Sequence, residues 1–198
     1  MKAMAGIGVP TELATVVRAA DGVTRCRWAT ETGRDLTAYH DHEWGTPTHE
    51  EAALFEALAL TYFENGLSWS TVFDKRDNFR KAFLGFNPEA VAAMNSDDVE
   101  RLMADTTIIR NRRKIEATLH NACLLSKYPL SQLVWRYQPH NECRLRTWAD
   151  GRMTSPESHE LSLALQHKGF RMIGPVVAHS FMQTVGIENG HFEGCFRA

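Results

Sequence analysis

Eight consecutive residues, Ala38-Tyr39-His40-Asp41-His42-Glu43-Trp44-Gly45, bring together a phenol, two imidazoles, two carboxylates and an indole. An ordinary turn needs no such density of polar chemistry. Upstream stands Cys26, and near the C-terminus three residues separate His191 from Cys195, a spacing that lets two ligands reach one metal ion from a short turn. A structural zinc takes four nitrogen and sulfur ligands in a closed tetrahedron, and Cys26, His40, His191 and Cys195 supply that set. Such a site would clasp both ends of the fold, so that binding the ion is also folding free energy. Spacing alone leaves a second reading open, two buried thiols and two surface histidines. His42 is expected to face solvent. Tyr39 and Trp44 would sit beside this corner and, with Trp28 and Trp69, line a pocket for something flat. A base extruded from a duplex is held by stacking between such rings and by hydrogen bonds to its edges, although the commoner use of large aromatic side chains is core packing.

The elements that position these groups read as helices. With 198 residues, 43% of them hydrophobic, the chain is long enough for a real core without disulfide staples. Residues 1–24 read as an appended arm with one short helix over 12–20, and 25–198 as the functional domain. Thr48 and Glu51 suggest a capping box for a helix over 49–65, ended by Asn65-Gly66. Further helices are expected over 70–84, from Asn87-Pro88, from a Ser96 cap, through Ile115, Leu119 and Ala122, from Ser155-Pro156 to Gly169, and from Pro175 to Gly186. Residues 127–154 read as irregular. No convincing pair of strands appears, and the fold is expected to be all-α.

A net charge of -2 argues against wholesale wrapping by nucleic acid, so any DNA contact has to come from a local patch. The densest is Arg110-Asn111-Arg112-Arg113-Lys114, which follows a short connection between two helices in a helix-hairpin-helix layout. A hairpin that offers backbone N–H groups to phosphate, flanked by Arg110, Arg112, Arg113 and Lys114, would grip one strand. A solvated helix face is the plainer reading. No run approaches the length of a membrane helix. The N-terminus makes a poor signal sequence. The four cysteines are therefore read as reduced and cytoplasmic, with Cys123 and Cys143 as free thiols.

Together these residues resemble the 3-methyladenine DNA glycosylase I family of the helix-hairpin-helix superfamily. The resemblance is carried by Arg25-Cys26-Arg27-Trp28, the block from Ala38 to Gly45, Gly66-Leu67-Ser68-Trp69, Ile108-Ile109-Arg110-Asn111-Arg112, Ser180-Phe181-Met182-Gln183 and the run from His191 to Cys195. It covers residues 25–195 in order. It implies a monomeric enzyme that hydrolyses the N-glycosidic bond of alkylated adenine in double-stranded DNA for base-excision repair. It places a structural zinc on Cys26, His40, His191 and Cys195, and a base pocket on Trp28, Tyr39, Trp44, Thr61, Trp69 and His179. DNA contacts fall on Ile108, Ile109, Arg110, Asn111, Arg112, Arg113 and Lys114. An N3-alkylated adenine is already cationic, so capture and positioning are the main demands on such a site.

The chain also departs from that family. A glutamate is expected on the helix before Gly-Leu-Ser-Trp, and Thr61 stands there, with Glu64 the nearest carboxylate. Glu64 and Tyr39 are the candidate catalytic residues. Either Glu64 has taken over the carboxylate's work, or that group has been lost and the wall remodelled around Tyr62 and Phe63, the outcome the neighbouring substitutions favour. Thr107 replaces a glycine in the hairpin, which would cost close backbone approach to phosphate. Val176, Val177 and His179 make a drier wall. These changes point to a divergent member with 3-methyladenine or a bulkier adduct as substrate. Two other functions fit the sequence, a non-catalytic zinc-stabilised DNA- or lesion-binding protein and a small-molecule nucleoside hydrolase.

Overall fold

The computed structural model describes residues 14–30, 36–140 and 144–198. The first described residues form a strand pair where a helix over 12–20 was expected, residues 12 and 13 lying outside the described residues. Strand β1 (Val16–Arg18) runs antiparallel to β2 (Thr24–Cys26), with Val16 opposite Cys26 and Arg18 opposite Thr24. Two adjacent β-branched valines favour the extended chain, and Asp21-Gly22 turns it, with the Asp21 carboxylate accepting from the Val23 N–H at 2.9 Å. The hairpin thus crosses residue 25, the start expected for the functional domain.

The rest is helical: α1 (Thr37–His42), α2 (Glu51–Glu64), α3 (Trp69–Phe73), α4 (Arg76–Ala82), α5 (Pro88–Ala92), α6 (Ser96–Ala104), α7 (Arg112–Leu125), α8 (Leu130–Leu133), α9 (Pro156–His167) and α10 (Pro175–Thr184). Helix α2 is apolar nearly all round. Leu54, Phe55, Leu58, Ala59, Tyr62 and Phe63 are buried together, and such a helix belongs at the centre of a fold. It is surrounded by α3, α5, α7, α8 and α10.

Caps decide where several helices begin, and not all fall where expected. The Thr48/Glu51 capping box does not form. Glu50 is the N-cap of α2, and the Glu51 carboxylate instead accepts the backbone N–H groups of Leu130 at 2.6 Å and Ser131 at 3.0 Å, satisfying orphan donors at the start of α8. Asn95, rather than Ser96, caps α6 in a reciprocal box with Asp98. The single helix expected over 70–84 is broken into α3 and α4 at Asp74-Lys75, whereas Asn87 caps α5 and Ser155 caps α9 as read. Residues 105–111 join α6 to α7 in the hairpin position. Between residues 127 and 154 the described chain holds only α8 and two three-residue 3-10 turns.

The main core spreads from α2 to α10, and a second small cluster joins Cys26, Leu145, Phe192 and Cys195 to Val16, Trp28 and Trp148. Gly186 ends α10 at a φ of 78°, and a Cβ there would stand 2.6 Å from the Pro47 nitrogen and 2.8 Å from the Gly45 carbonyl oxygen. Backbone presses on backbone at this point and neither side has room to give. Gly186→Ala is expected to lower the unfolding free energy by about 2 kcal/mol or more, read from urea midpoints at unchanged m-value.

Candidate active site and metal centre

Strand β2, helix α1 and the C-terminal turn bring Cys26, His40, His191 and Cys195 together. All four are buried, and one ligand atom from each lies within 4.8 Å of every other. The Cys195 Sγ is 3.4 Å from His40 Nε2 and 3.8 Å from His191 Nδ1, and Cys26 Sγ is 3.7 Å from His191 Nδ1. This cluster could hold a metal ion. The backbone N–H of Phe192 donates to Cys26 Sγ and that of Arg197 to Cys195 Sγ, both at 3.4 Å, as suits sulfur that carries negative charge. Cys195 is the more acidic thiol, held far below the usual range first by Cys26 and then by the imidazoles of His191 and His40. Cys26 is pushed up by its contact with Cys195 and by burial.

Outside the ligands, His40 Nδ1 lies 2.8 Å from Asp41 Oδ1, and Asp41 is gripped by Arg25 through Nε at 2.9 Å and Nη2 at 2.7 Å. The Arg25 guanidinium holds the Asp41 carboxyl below the usual carboxylate range, with His40 adding to the effect. Asp41 is therefore an anion suited to accept a hydrogen bond from Nδ1–H, which turns Nε2 toward the Cys/His cluster. Trp28 and Trp44 serve this corner. Trp28 lies edge-on to His40 and Trp44, and Trp44 edge-on to His191.

A cleft of about 170 Å³ opens beside the Cys/His cluster, lined by Tyr39, Glu43, Ala53, Glu56, Ala57, Leu60, Trp69, Arg76, Arg80 and Thr184. Of the six residues assigned to a base pocket from sequence, Tyr39 and Trp69 line it. Their rings stack with centroids 5.6 Å apart, and Phe73 backs Tyr39. Thr61 is buried on α2 with its hydroxyl donating to the Ala57 carbonyl at 2.7 Å, so it is spent along its own helix. His179 is buried on α10 with Nδ1 at 3.2 Å from Glu188 Oε2.

Sequence reasoning missed the charged wall of the cleft. Arg76 reaches Glu56 at 2.6 Å and Glu43 at 2.7 Å, Arg80 reaches Glu56 at 2.9 Å, and the Arg76 guanidinium lies 5.5 Å from the Tyr39 ring centre. Burial opposes the charge on Arg76, but the carboxylates of Glu56 and Glu43 outweigh it. The available signal was Glu56 itself, a lone carboxylate among apolar neighbours on α2, with Arg76 and Arg80 one turn apart on α4. Amid these paired charges the Tyr39 hydroxyl is buried without a hydrogen-bond partner among the described residues, and burial pushes its pKa up. It stays a protonated donor.

The hairpin divides its seven sequence-assigned residues. Ile108 is buried, Ile109 packs on the core, Asn111 caps α7, and Arg112 is paired with Glu100 at 2.8 Å. Arg110 and Arg113 are exposed and make no ion pair among the described residues. Lys114 points inward. Its ammonium donates to the carbonyls of Phe63 at 2.9 Å and Asn65 at 2.8 Å, satisfying the end of α2, and burial pushes its pKa down. A phosphate contact by Lys114 is therefore corrected to a helix-capping contact. Thr107 is not among the non-glycine residues at positive φ, so the loss of glycine brings no backbone strain. Its N–H and hydroxyl are both taken by Asp105, while its carbonyl accepts from Lys75 Nζ at 3.0 Å. Of the expected free thiols, Cys123 is exposed and unpaired, and Cys143 lies outside the described residues.

The profile of the family described as methyladenine glycosylase matches residues 28–198. The chain belongs to the methyladenine glycosylase family. DNA-3-methyladenine glycosylase 1 of Escherichia coli is 39% identical over 178 residues, which cover 86% of this chain and 95% of that one. DNA-3-methyladenine glycosylase of Haemophilus influenzae is 34% identical, with 87% and 96% covered. Among solved structures, a 3-methyladenine DNA glycosylase I superposes with a TM-score of 0.80 at 37% identity over 87% of this chain and 98% of its own. The Staphylococcus aureus enzyme, solved to explain 3-methyladenine recognition, gives 0.79 at 32% identity over 87% and 95%. The aromatic cleft, the hairpin and the Cys/His corner therefore stand in a methyladenine-glycosylase frame.

Lys114→Ala should lower the unfolding free energy by about 2 kcal/mol through the freed α2 carbonyls, and leave the slope of DNA affinity against log salt unchanged. Arg110→Glu with Arg113→Glu should do the reverse, weakening DNA binding and flattening that slope without moving the urea midpoint.

Proposed function

We propose that the protein is a DNA glycosylase that releases 3-methyladenine, or a closely related alkylated adenine, from double-stranded DNA in base-excision repair. It would act as a cytoplasmic monomer through residues 25–198. The observation that carries this reading is the Tyr39–Trp69 wall with its one unsatisfied buried hydroxyl, in a chain 39% identical to a DNA-3-methyladenine glycosylase. Stacking supplies affinity for a flat cation, and a donor with no protein partner is free for an acceptor on the base edge. In the reaction the bond from the sugar C1′ to N9 breaks and the electron pair leaves with the base. An N3-alkylated adenine departs neutral, water adds its hydroxyl to C1′, and one proton goes to solvent. No strong acid is required, since the leaving group already carries its positive charge. The residues that touch the base position it.

We assign zinc to the Cys26, His40, His191 and Cys195 cluster. A zinc tetrahedron with Zn–S of about 2.3 Å and Zn–N of about 2.0 Å has S···N edges of about 3.5 Å, close to the separations of 3.4 to 3.8 Å here. With four protein ligands no position stays open, so the ion's contribution is structural. A second reading, a lesion-binding protein without catalysis, draws on Thr61, whose hydroxyl is tied to its own helix and turns no charge toward the cleft.

Incubation with methylated duplex DNA and chromatography of the released bases separates the two, with a 3-methyladenine peak expected from the enzyme. Tight binding of methylated duplex without any released base would establish the second reading. Elemental analysis should find one zinc per chain, lost in a Cys26→Ala, Cys195→Ala variant together with several degrees of thermal stability. Full zinc retention in that variant would remove the assignment.

A further inference from the structure

The phenol of Tyr39 is enclosed by a single stripe of the chain. Trp69 stacks on it with centroids 5.6 Å apart, Phe73 meets it at 5.0 Å, and the Arg76 guanidinium lies 5.5 Å from its centre. Phe73 follows Trp69 by one helical turn and Arg76 follows Phe73 by another, so the three share one face. That face continues across the junction of α3 and α4, where Asp74 keeps right-handed helical angles. Two members of the stripe are aromatic, as suits a ring they pack against. The third carries a charge, and its side chain is only 17% exposed.

Packing does not ask for a cation at that place. Burial opposes the Arg76 charge, and apolar side chains of similar volume often replace a buried ion pair without loss of stability. Arg76 makes contacts that no apolar residue can. Its Nη1 holds Glu43 Oε2 at 2.7 Å and its Nε holds Glu56 Oε1 at 2.6 Å, so one planar group fastens the end of α1 to α2. Glu43 lies one turn after Tyr39, and its N–H donates to the Tyr39 carbonyl at 3.0 Å. The guanidinium therefore grips the cleft side of α1 twice, at the ring and at the carboxylate one turn on. Arg80 holds the other oxygen of Glu56 at 2.9 Å, which keeps that carboxylate from turning away. Glu64, the carboxylate expected to act, ends α2 and is not among the residues that line the cleft.

We propose that Arg76 is a positioning residue for base release, fixing the Tyr39 ring so that its unpartnered hydroxyl is aimed at the edge of the captured base. The proposal rests on the glycosylase reading and deepens it. A phenol donates its hydrogen bond usefully only when the O–H is already directed at the acceptor, since reorienting it would cost rate. Two carboxylates neutralise Arg76, which lets a guanidinium do this work beside a cationic base without repelling it.

The test is a double-mutant cycle of Arg76→Lys and Tyr39→Phe, read as single-turnover release of 3-methyladenine from methylated duplex. Lysine keeps the charge and one carboxylate, but it lacks the planar fork that holds two carboxylates and lies beside a ring. Arg76→Lys is expected to slow release by roughly tenfold or more with zinc content unchanged, and most of that loss should disappear in the Tyr39→Phe background. Once the hydroxyl is gone, nothing is left to aim. A merely structural contact lowers release by the same factor in both backgrounds, and that result, or unchanged release in Arg76→Lys, overturns the proposal. Should Arg76→Lys fail to fold, Arg76→Gln combined with Glu43→Gln removes the cation together with its exposed partner and enters the cycle under the same criteria. Should the unaltered protein release no base, the glycosylase reading itself has failed. The same cycle read as quenching of tryptophan fluorescence by free 3-methyladenine then decides on Arg76 alone. An effect of Arg76→Lys on affinity that vanishes with Tyr39→Phe supports the assignment, and an effect independent of Tyr39, or no quenching at all, overturns it.

Discussion

The chain of contacts from Arg25 through Asp41 to His40 fixes more of this molecule than its three residues suggest. Arg25 is on β2, Asp41 and His40 are on α1, and His40 faces Cys195 in the C-terminal turn. Three segments distant in sequence are thereby held at one corner. The arrangement is buried and charged, and it is stable because each group is paired in turn, the guanidinium with the carboxylate and the carboxylate with the imidazole. Tyr39 immediately precedes His40 on the same helix, so the ring that walls the cleft is set by the groups that set the ligand.

The cleft itself is an exercise in cancelled charge. Two carboxylates and two guanidiniums line a space of about 170 Å³, and each neutralises another. What is left to meet a ligand is aromatic surface and the buried Tyr39 hydroxyl, which has no hydrogen-bond partner among the described residues. Arg76 and Glu56 are its most buried members, so losing one would leave the other short of a partner in a poor solvent for ions, whereas Glu43 and Arg80 are open to water.

Residue type and spacing made the Cys/His cluster legible as a candidate ligand set, and helices α5, α9 and α10 were legible through their caps and first-turn prolines. Contacts across long separations were not. Glu51 reads as the partner of Thr48 three residues away, yet its donors lie on α8, about eighty residues along the chain. Lys114 reads as one more cation in a basic run, but its long stem carries the ammonium inward to α2. The strands of the hairpin are three residues each, too short for alternation to register. Four aromatic residues near one another in sequence became two pairs with different duties, since residue type does not say which side of α1 a ring occupies.

The N-cap of α4 and the first residue of that helix look in different directions. Lys75 holds the Thr107 carbonyl at the tip of the hairpin, and Arg76 holds Glu43 and Glu56 in the cleft. One peptide bond therefore joins the turn to the cavity. Through that link the spacing between turn and cavity acts as a gauge built into the fold. Any ligand that engages both ends must conform to that gauge, bringing its own bend or extrusion to the protein.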